Sequence, residues 1–465
     1  MAIEPETFDA ILLGAGQANN PLARTLAGAG WRVALIEKGE MGGTCVNVGC
    51  TPTKAMIASA RVAHQARRAR VFGVHAGTVE VRLDEVRARA TAIVEAFRAG
   101  SARKIEEADG LELIRGAGSF VGPREVRVAL NDGGSRLLRG DVVVIDTGGL
   151  PAIPDIPGLD DVPWLDSTGM LTLGEVPEHL LVLGGGYIGV EFAQMFRRFG
   201  ARVTIIERGG ELLSSEDDDM TEALADILRE EGVDIILDAE ATRVADSGDG
   251  VRLTIRSGDR ERQVTGSHLL AAVGRRPNTD GLNLGAAGVR TDERGYVEVN
   301  ERLETSVPGV FAAGDVNGGP EFTHVAHNDN RILRENLLRD AGRTTTGRMV
   351  PFTVFTDPQY ARVGMTEKEA RDQGRPVRVA RMPMTDVARA VEMGEARGLL
   401  KAIVDAETDQ ILGCSTLAVE GGEIMSMMQI AMMGGLPFQR LRDDMLAHPT
   451  LARGLNALLA IFEDE

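Results

Sequence analysis

Cys45 and Cys50, two of the chain's three cysteines, lie five residues apart in the stretch Gly42-Gly43-Thr44-Cys45-Val46-Asn47-Val48-Gly49-Cys50-Thr51-Pro52-Thr53-Lys54. Two such thiols can hold a metal, form a reversible disulfide, or simply be buried. Metal-ligand pairs usually sit two to four residues apart and come with further ligands, which disfavours a metal here. A disulfide needs Cα atoms roughly 4.4–6.8 Å apart. On a regular helix five steps turn the chain about 500°, so the side chains diverge by about 140°. The bond closes only where this turn is distorted, and Gly49 and Pro52 permit that. A reversible redox disulfide is the better reading, with two unrelated buried cysteines as the alternative.

The elements around this stretch begin with Phe8–Leu13, which reads as a buried parallel strand. Gly14-Ala15-Gly16 opens a helix to about Ala29, Trp31–Ile36 is the next strand, and Glu37 ends it. Glu37 lies 21 positions after Gly16, close to the ~20 of a dinucleotide fingerprint. The glycines let backbone approach a pyrophosphate at the helix N-terminus, and Glu37 can accept a ribose hydroxyl. The fingerprint's third glycine is Asn19. That position packs helix on strand, so Asn19 is expected to loosen the contact while leaving the phosphate site. A second unit starts at Leu180–Leu183 with a complete G-x-G-x-x-G, Gly184 to Gly189. Its strand Arg202–Ile206 ends in Glu207, again 21 positions after the middle glycine, Gly186. An acid there favours a free 2′-hydroxyl, hence NADH over NADPH, and the adjacent Arg208 softens the preference. Two such folds imply two bound dinucleotides.

Helical patterns cover Thr51–Arg70 and Leu83 to about Ala108, and their arginines read as a solvated face. Strand patterns cover Leu111–Val121, Glu125–Leu130 and Asp141–Ile145, the last followed by Asp146-Thr147-Gly148-Gly149 and a proline-rich hinge to Pro163. Beyond Phe352 the strands Val377–Met382, Gly398–Val404 and Gln410–Ala418 precede helices from Gly422. The Met-rich run at Ala431-Met432-Met433 reads as core or subunit interface, and Cys414 as a small buried hydrophobe.

Residues 42–54 resemble the active-site peptide of the flavin-dependent pyridine nucleotide–disulfide oxidoreductases, the family of glutathione reductase, dihydrolipoamide dehydrogenase and mercuric reductase, and are nearest the mercuric-reductase-like branch. The resemblance runs through nearly the whole chain. Thr147-Gly148 is similar to the ATG motif at which the chain leaves the flavin domain, with Asp146 in place of alanine. Val273–Asn278 resembles the VGRxPN return, Thr305–Asp315 the second flavin motif, and His448–Arg453 the HPTLSE motif. The resemblance implies an α/β fold of two Rossmann-like dinucleotide-binding domains and a C-terminal α+β dimerisation domain. The implied boundaries are 1–150 and 273–347 for the FAD domain, 151–272 for the NAD(P) domain and 348–465 for the domain that makes a homodimer.

The same resemblance implies FAD contacts at Gly14, Gly16, Glu37, Gly43, Thr44, Lys54, Thr147, Gly148, Gly314 and Asp315. It implies NAD(P) contacts at Gly184, Gly186, Tyr187, Ile188, Gly189, Glu207, Arg208 and Gly274. Tyr187 would gate the flavin, and Lys54 and Glu191 would pair beside it. Cys50 would be the charge-transfer thiolate and Cys45 the attacking sulfur. His448 of a partner subunit would be the acid–base group. Relatives place a glutamate five residues after that histidine, and this chain has Arg453, which implies weak handling of dihydrolipoamide. His324 and His327 read as local packing. The implied activity passes electrons from NAD(P)H through FAD to the Cys45–Cys50 disulfide and on to a small oxidised substrate. Dihydrolipoamide dehydrogenase and a reductase of hypothiocyanous acid or another small oxidant are the alternatives within the class. A flavin-based redox sensor is the alternative outside it, disfavoured by the complete second fingerprint. Mercuric reductase itself is disfavoured, because the end Ile461–Glu465 carries no cysteine pair for a soft ion.

The 465 residues, 43% hydrophobic, suffice for about three domains. A net charge of −18 disfavours nucleic acid and anionic membranes as partners. No apolar run reaches the roughly 18–20 residues of a membrane span. The start MAIEPETFDAILLGAG lacks a basic leader, which makes the cytoplasm the expected location.

Overall fold

The computed structural model describes residues 4–463. Met1–Ile3, within the start read as leader-free, and Asp464 and Glu465, at the cysteine-free end, lie outside the described residues. No described helix is long and apolar enough to cross a membrane. The chain forms two compact units. One takes the residues up to Ala55 with Glu85–Ala152 and Gly274–Arg348; the other takes Met56–Asp84, Ile153–Val273 and the residues from Met349 on.

The first unit is built on the strand Glu6–Leu13. It pairs in parallel with Val33–Glu37 on one side and Ser135–Ile145 on the other, so that Ala10 faces both Val33 and Val142. Leu111–Gly122 extends the sheet beyond Val33–Glu37, and Val310–Ala312 extends it beyond Ser135–Ile145. Glu125–Leu130 runs antiparallel to Leu111–Gly122 and to Ser135–Ile145. Strand alternation sorts the side chains. Leu12, Leu35 and Val144 join Leu22 and Leu26 of the helix Asn19–Gly28 in one core layer. Ile11, Leu13, Ile36 and Val143 join Phe120 and Val126 in the other. A parallel strand apolar on both faces is thus covered on both.

The second unit holds four parallel strands in the order His268–Ala271, His179–Leu183, Arg202–Ile206, Val233–Ile236. It also holds an antiparallel meander of Glu240–Asp246, Val251–Ser257 and Arg260–Gly266. Its third sheet is antiparallel, ordered Phe352–Val354, Gln359–Gly364, Ile411–Ala418, Leu399–Asp405, Val377–Pro383. Ile424, Met425 and Met428 of the helix Gly421–Met433 share a core with that sheet. Cys414 is wholly buried there, and burial pushes its thiol up to about 12.

Of the arginines of the helices Cys50–Arg68 and Leu83–Glu106, Arg67, Arg89 and Arg103 are exposed as expected, but several also reach partners beyond a solvated face. Arg89 donates to Ala55 O (2.8 Å) and Arg98 to Asn47 Oδ1 (3.0 Å), and Arg68 pairs with Glu395 at 2.9 Å. A guanidinium carries five donors on a long stem, so it can leave an exposed face and reach carbonyls beneath.

Candidate active site

The cysteine stretch opens with two glycines in the left-handed region, Gly42 at φ 102° and Gly43 at φ 64°. They turn the chain into the short helix Gly43–Asn47. Asn47 secures it by donating to Met41 O (3.1 Å) and Gly43 O (3.0 Å). The helix breaks after Asn47, and a new one, Cys50–Arg68, starts on the second cysteine. A Cβ on Gly49 would lie 2.9 Å from Thr44 O and 3.3 Å from Cys45 Cα. Glycine is what lets the two helices fold back so closely, and this fold-back is the distortion that the five-residue spacing demands. Pro52 sits in the first turn of the second helix, where a missing N–H costs little.

The thiols are unbridged, and their side chains hydrogen-bond each other. Thr323, which begins the helix Thr323–Arg339, brings Oγ1 to 3.6 Å from Cys50 Sγ. The hydrogen bond with Cys50, burial and the charge on Cys50 push the Cys45 thiol far up, against smaller opposing effects of Thr323 and Lys54. Cys50 is the first residue of a 19-residue helix, whose N-terminal end favours a thiolate.

The first glycine turn lies directly under this stretch. Gly42 N donates to Ala15 O (3.1 Å), and a Cβ on Gly43 would sit 3.0 Å from Gly16 Cα. Gly14 takes φ 90°, where a Cβ would meet Asp146 O at 2.3 Å. Glu37 turns both carboxylate oxygens back on the backbone, accepting from Ala15 N (2.8 Å) and Gly39 N (2.7 Å). Each oxygen keeps a lone pair for a ribose hydroxyl. Thr147 Oγ1 donates to Asn278 O (2.8 Å) and Asn278 Nδ2 to Thr147 O (3.1 Å), which braces the strand end. Beside them Gly148 has open space, with Thr44 Oγ1 at 4.0 Å as its near neighbour. Asp315, on the turn Gly314–Asn317, faces Arg275 at 3.4 Å, and burial pushes its carboxyl up.

Asn19 does not loosen the helix. It is 0% exposed, and its Nδ2 donates to Leu13 O (3.2 Å), Gly14 O (3.0 Å) and Val144 O (3.3 Å). An amide can donate to strand-end carbonyls, which glycine cannot, so the substitution ties the helix down. Asp146, the other departure from the family pattern, accepts from Ala18 N (3.0 Å) and Asn19 N (2.8 Å).

The second glycine turn repeats the design within the other unit. Gly184 takes φ 108°, where a Cβ would meet Ala272 O at 2.4 Å. A Cβ on Gly189 would sit 2.0 Å from Gly184 O, so the third glycine is obligatory here. Gly186 has nothing within 4 Å of its Cβ position, leaving room at the start of the helix Tyr187–Phe199, which Ile188 continues. Glu207 accepts from Gly185 N (2.6 Å) and Gly209 N (2.7 Å), and Arg208 follows it. Tyr187 donates to Glu216 Oε1 (3.0 Å), and its ring stacks on Phe352 at 5.1 Å. Burial and the Glu216 charge push the phenol up to about 12.

Residues 8–329 match the family model described as pyridine nucleotide-disulphide oxidoreductase, and residues 350–458 match that of its dimerisation domain. The chain belongs to this family. It is 39% identical over 460 residues to the probable pyridine nucleotide-disulfide oxidoreductase RclA of Escherichia coli, covering 98% of this chain and 99% of that one. It is 33% identical to a mercuric reductase of Staphylococcus aureus (98% and 83% covered) and 36% identical to a dihydrolipoyl dehydrogenase of Thermus scotoductus (97% and 96% covered). A solved structure described as the HOCl-induced flavoprotein disulfide reductase RclA, in a Cu(II) complex, superposes with a TM-score of 0.89 at 38% identity, covering 98% of this chain and 99% of that one.

The oxidoreductase is an NAD(P)H-dependent FAD enzyme. Its residues fit both dinucleotides: two glycine turns too tight for a side chain, an acid closing each, and open space beside Gly148 and Gly186. Lys54 lies in the unit of the dithiol, whereas Glu191 is buried in the other unit and accepts from Phe355 N (2.7 Å). Gly274 stands at φ 126° and accepts through its carbonyl from Ala152 N (2.9 Å). His448 and Arg453 are both exposed, and Arg453 N donates to Thr450 Oγ1 (3.2 Å). His324 stacks on Phe322 at 5.3 Å, and burial lowers His327. Among the described residues, no group of three or more His, Cys, Asp and Glu is placed to hold a metal ion. Thr323 and Glu216 escaped the sequence reading. Neither belongs to a motif, and a threonine 273 positions from Cys50 carries no local signal of its role.

Proposed function

We propose that Cys45 and Cys50 alternate between disulfide and dithiol, and that Cys45 meets a small oxidised substrate. The observation that carries this is the fold-back at Gly49, which brings the two thiols into hydrogen-bond contact beside Thr323. Bound FAD supplies the two-electron relay between NAD(P)H and the disulfide. Cys50, at the helix N-terminus, holds the charge of the reduced pair. Cys45, once its proton is removed, attacks the electrophilic atom of the oxidant. Cys50 then attacks the Cys45 sulfur, which reforms the disulfide and releases the two-electron-reduced product. The other assignments follow the family pattern. Gly14, Gly16, Glu37 and Asp315 bind FAD. Gly184, Gly186 and Glu207 bind the nicotinamide dinucleotide, with NADH preferred because Glu207 repels a 2′-phosphate. Tyr187 moves aside to admit it.

The raised Cys45 thiol requires a base, and His448 of a partner subunit is the residue we assign. Arg453 stands where the family has a carboxylate, and a guanidinium cannot accept the imidazole N–H. That suits a substrate whose leaving group is already a good anion and handicaps dihydrolipoamide, which loses two thiol protons. The likeness to RclA favours an oxidant from reactive-chlorine chemistry. A homodimer fits the dimerisation domain and the exposed Ile430 (69%) and Met433 (72%) on its helix Gly421–Met433. The cytoplasm is the proposed location.

Anaerobic two-electron reduction tests the relay. Wild type should develop a long-wavelength absorbance band that Cys50→Ser abolishes; a band surviving that substitution refutes the roles. Steady-state assays with hypothiocyanous acid, lipoamide, glutathione disulfide and Hg(II) then rank substrates. Hypothiocyanous acid should turn over fastest, and lipoamide turning over fastest would overturn the substrate class.

A further inference from the structure

The two glycine turns are built on one plan, and they differ at one place in a way that involves charge. Gly14 packs against the carbonyl of Asp146, and Gly184 packs in the same manner against the carbonyl of Ala272 (2.3 and 2.4 Å from the Cβ positions). Asp146 and Ala272 are therefore the equivalent strand-end residues. In the second turn that residue is a methyl group. In the first it is a carboxyl, buried to 6% exposure, whose Oδ2 already takes two of the N–H groups at the start of the helix Asn19–Gly28. The positive end of that helix is what a dinucleotide diphosphate uses.

Asp146 lies among like charges. Asp315 and Asp329 both act on it electrostatically. A Cβ on Gly314 would sit 3.0 Å from Asp146 Oδ1, and Gly314 N donates to Asp329 Oδ2 (2.9 Å), so the acids surround one turn. Asp329 has Arg348 at 2.6 Å, and Asp315 has Arg275 at 3.4 Å, which also faces Glu321. The third nearby acid on the turn, Glu37, is tied to Ala15 N. Asp146 is held by backbone N–H groups, and no cation pairs with it among the described residues. Asn19 Oδ1, in the same first helical turn, is buried with no partner. Burial and the neighbouring acids already push the Asp146 carboxyl well above the ordinary carboxylate range, against the pull of its two N–H donors.

We propose that Asp146 takes up a proton when FAD binds, so that flavin retention weakens as the pH rises. A diphosphate brings two negative charges to a helix end that Asp146 occupies. Protonating the carboxyl removes the repulsion and keeps its oxygens available to Ala18 N and Asn19 N. The sign follows from linkage. The carboxyl is more readily protonated in the FAD complex than without FAD, so binding is favoured at low pH and each released FAD releases a proton. Between the two pKa values, affinity falls tenfold per pH unit. The proposal rests on the diphosphate lying at the turn of Gly14–Asn19.

The test is FAD release from the full-length holoenzyme, read by free-flavin fluorescence on dilution between pH 5.5 and 8.5. Wild type should show a dissociation constant rising up to tenfold per unit, and Asp146→Asn should show a flat profile with at least tenfold tighter binding at the alkaline end. A flat wild-type profile, or an unchanged slope in Asp146→Asn, overturns the proposal. Should the variant not fold, proton release from wild type in weakly buffered solution decides: about one proton per FAD supports it, and none refutes it. The same release assay with ADP as competitor separates the premise. ADP binding with the same pH slope upholds the diphosphate placement, whereas FAD sloped and ADP flat puts the proton elsewhere and refutes the assignment to Asp146.

Discussion

The first and second glycine turns of this enzyme solve one geometric problem with two different third residues. Both bring a left-handed glycine against a strand-end carbonyl, and both close with a glutamate that accepts from the residue after that glycine. They part at the helix seat. At the second turn Gly189 allows the helix to press on Gly184 O with no room for a Cβ. At the first, Asn19 replaces that close approach with three amide donor contacts, and Asp146 caps the helix from the strand beside it. The same anion-binding geometry can thus be reached by close packing or by buried hydrogen bonds. The second route places a buried carboxyl at the helix start.

The largest effect should come from the feature the turns share. Gly14→Ala and Gly184→Ala each force a Cβ into a carbonyl at positive φ, a cost of about 3 kcal/mol or more. Gly14→Ala should lose bound flavin by absorbance, while Gly184→Ala should keep it and lose about a hundredfold in kcat/KM for NADH. If both variants lose only NADH reduction, the assignment of the two turns is reversed or wrong.

A smaller effect sharpens the difference. Asn19→Gly restores the family glycine yet removes the three amide contacts. The holoenzyme should lose about 1–3 kcal/mol of stability by thermal melting. An unchanged or raised Tm would mean that the amide merely fills space. The mirror variant Gly189→Asn should fare worse, because no rotamer avoids Gly184 O.

The smallest concerns the closing acids. Glu207→Gln keeps the acceptor for Gly185 N and removes the charge. The NADH-to-NADPH ratio of kcat/KM should fall by about tenfold, equivalent to ~1.4 kcal/mol. A wild type that already favours NADPH would end the argument from Glu207 and turn attention to Arg208.

What the chain alone determined is what local spacing can encode. The alternation of apolar strand and glycine turn, with an acid about 20 residues on, specifies a dinucleotide fold. The C-x4-C pair with Gly49 and Pro52 announces a bent redox helix because the constraint is contained within ten residues. Nearest-neighbour periodicity also found most strands, though Ser135–Ile145 runs six residues earlier than its apolar core Asp141–Ile145 suggested. Tertiary structure alone decided the contacts made across long separations. Asp146 reaches the helix start 127 positions away, Thr323 meets Cys50 across 273, and Glu216 gathers Tyr187 and Tyr360 from 29 and 144. The meaning of Asn19 was likewise hidden. Its identity suggested a looser helix, and only the positions of Leu13 O, Gly14 O and Val144 O turned its amide into a clasp. A hydrogen bond depends on where both partners are, and a sequence states only what they are.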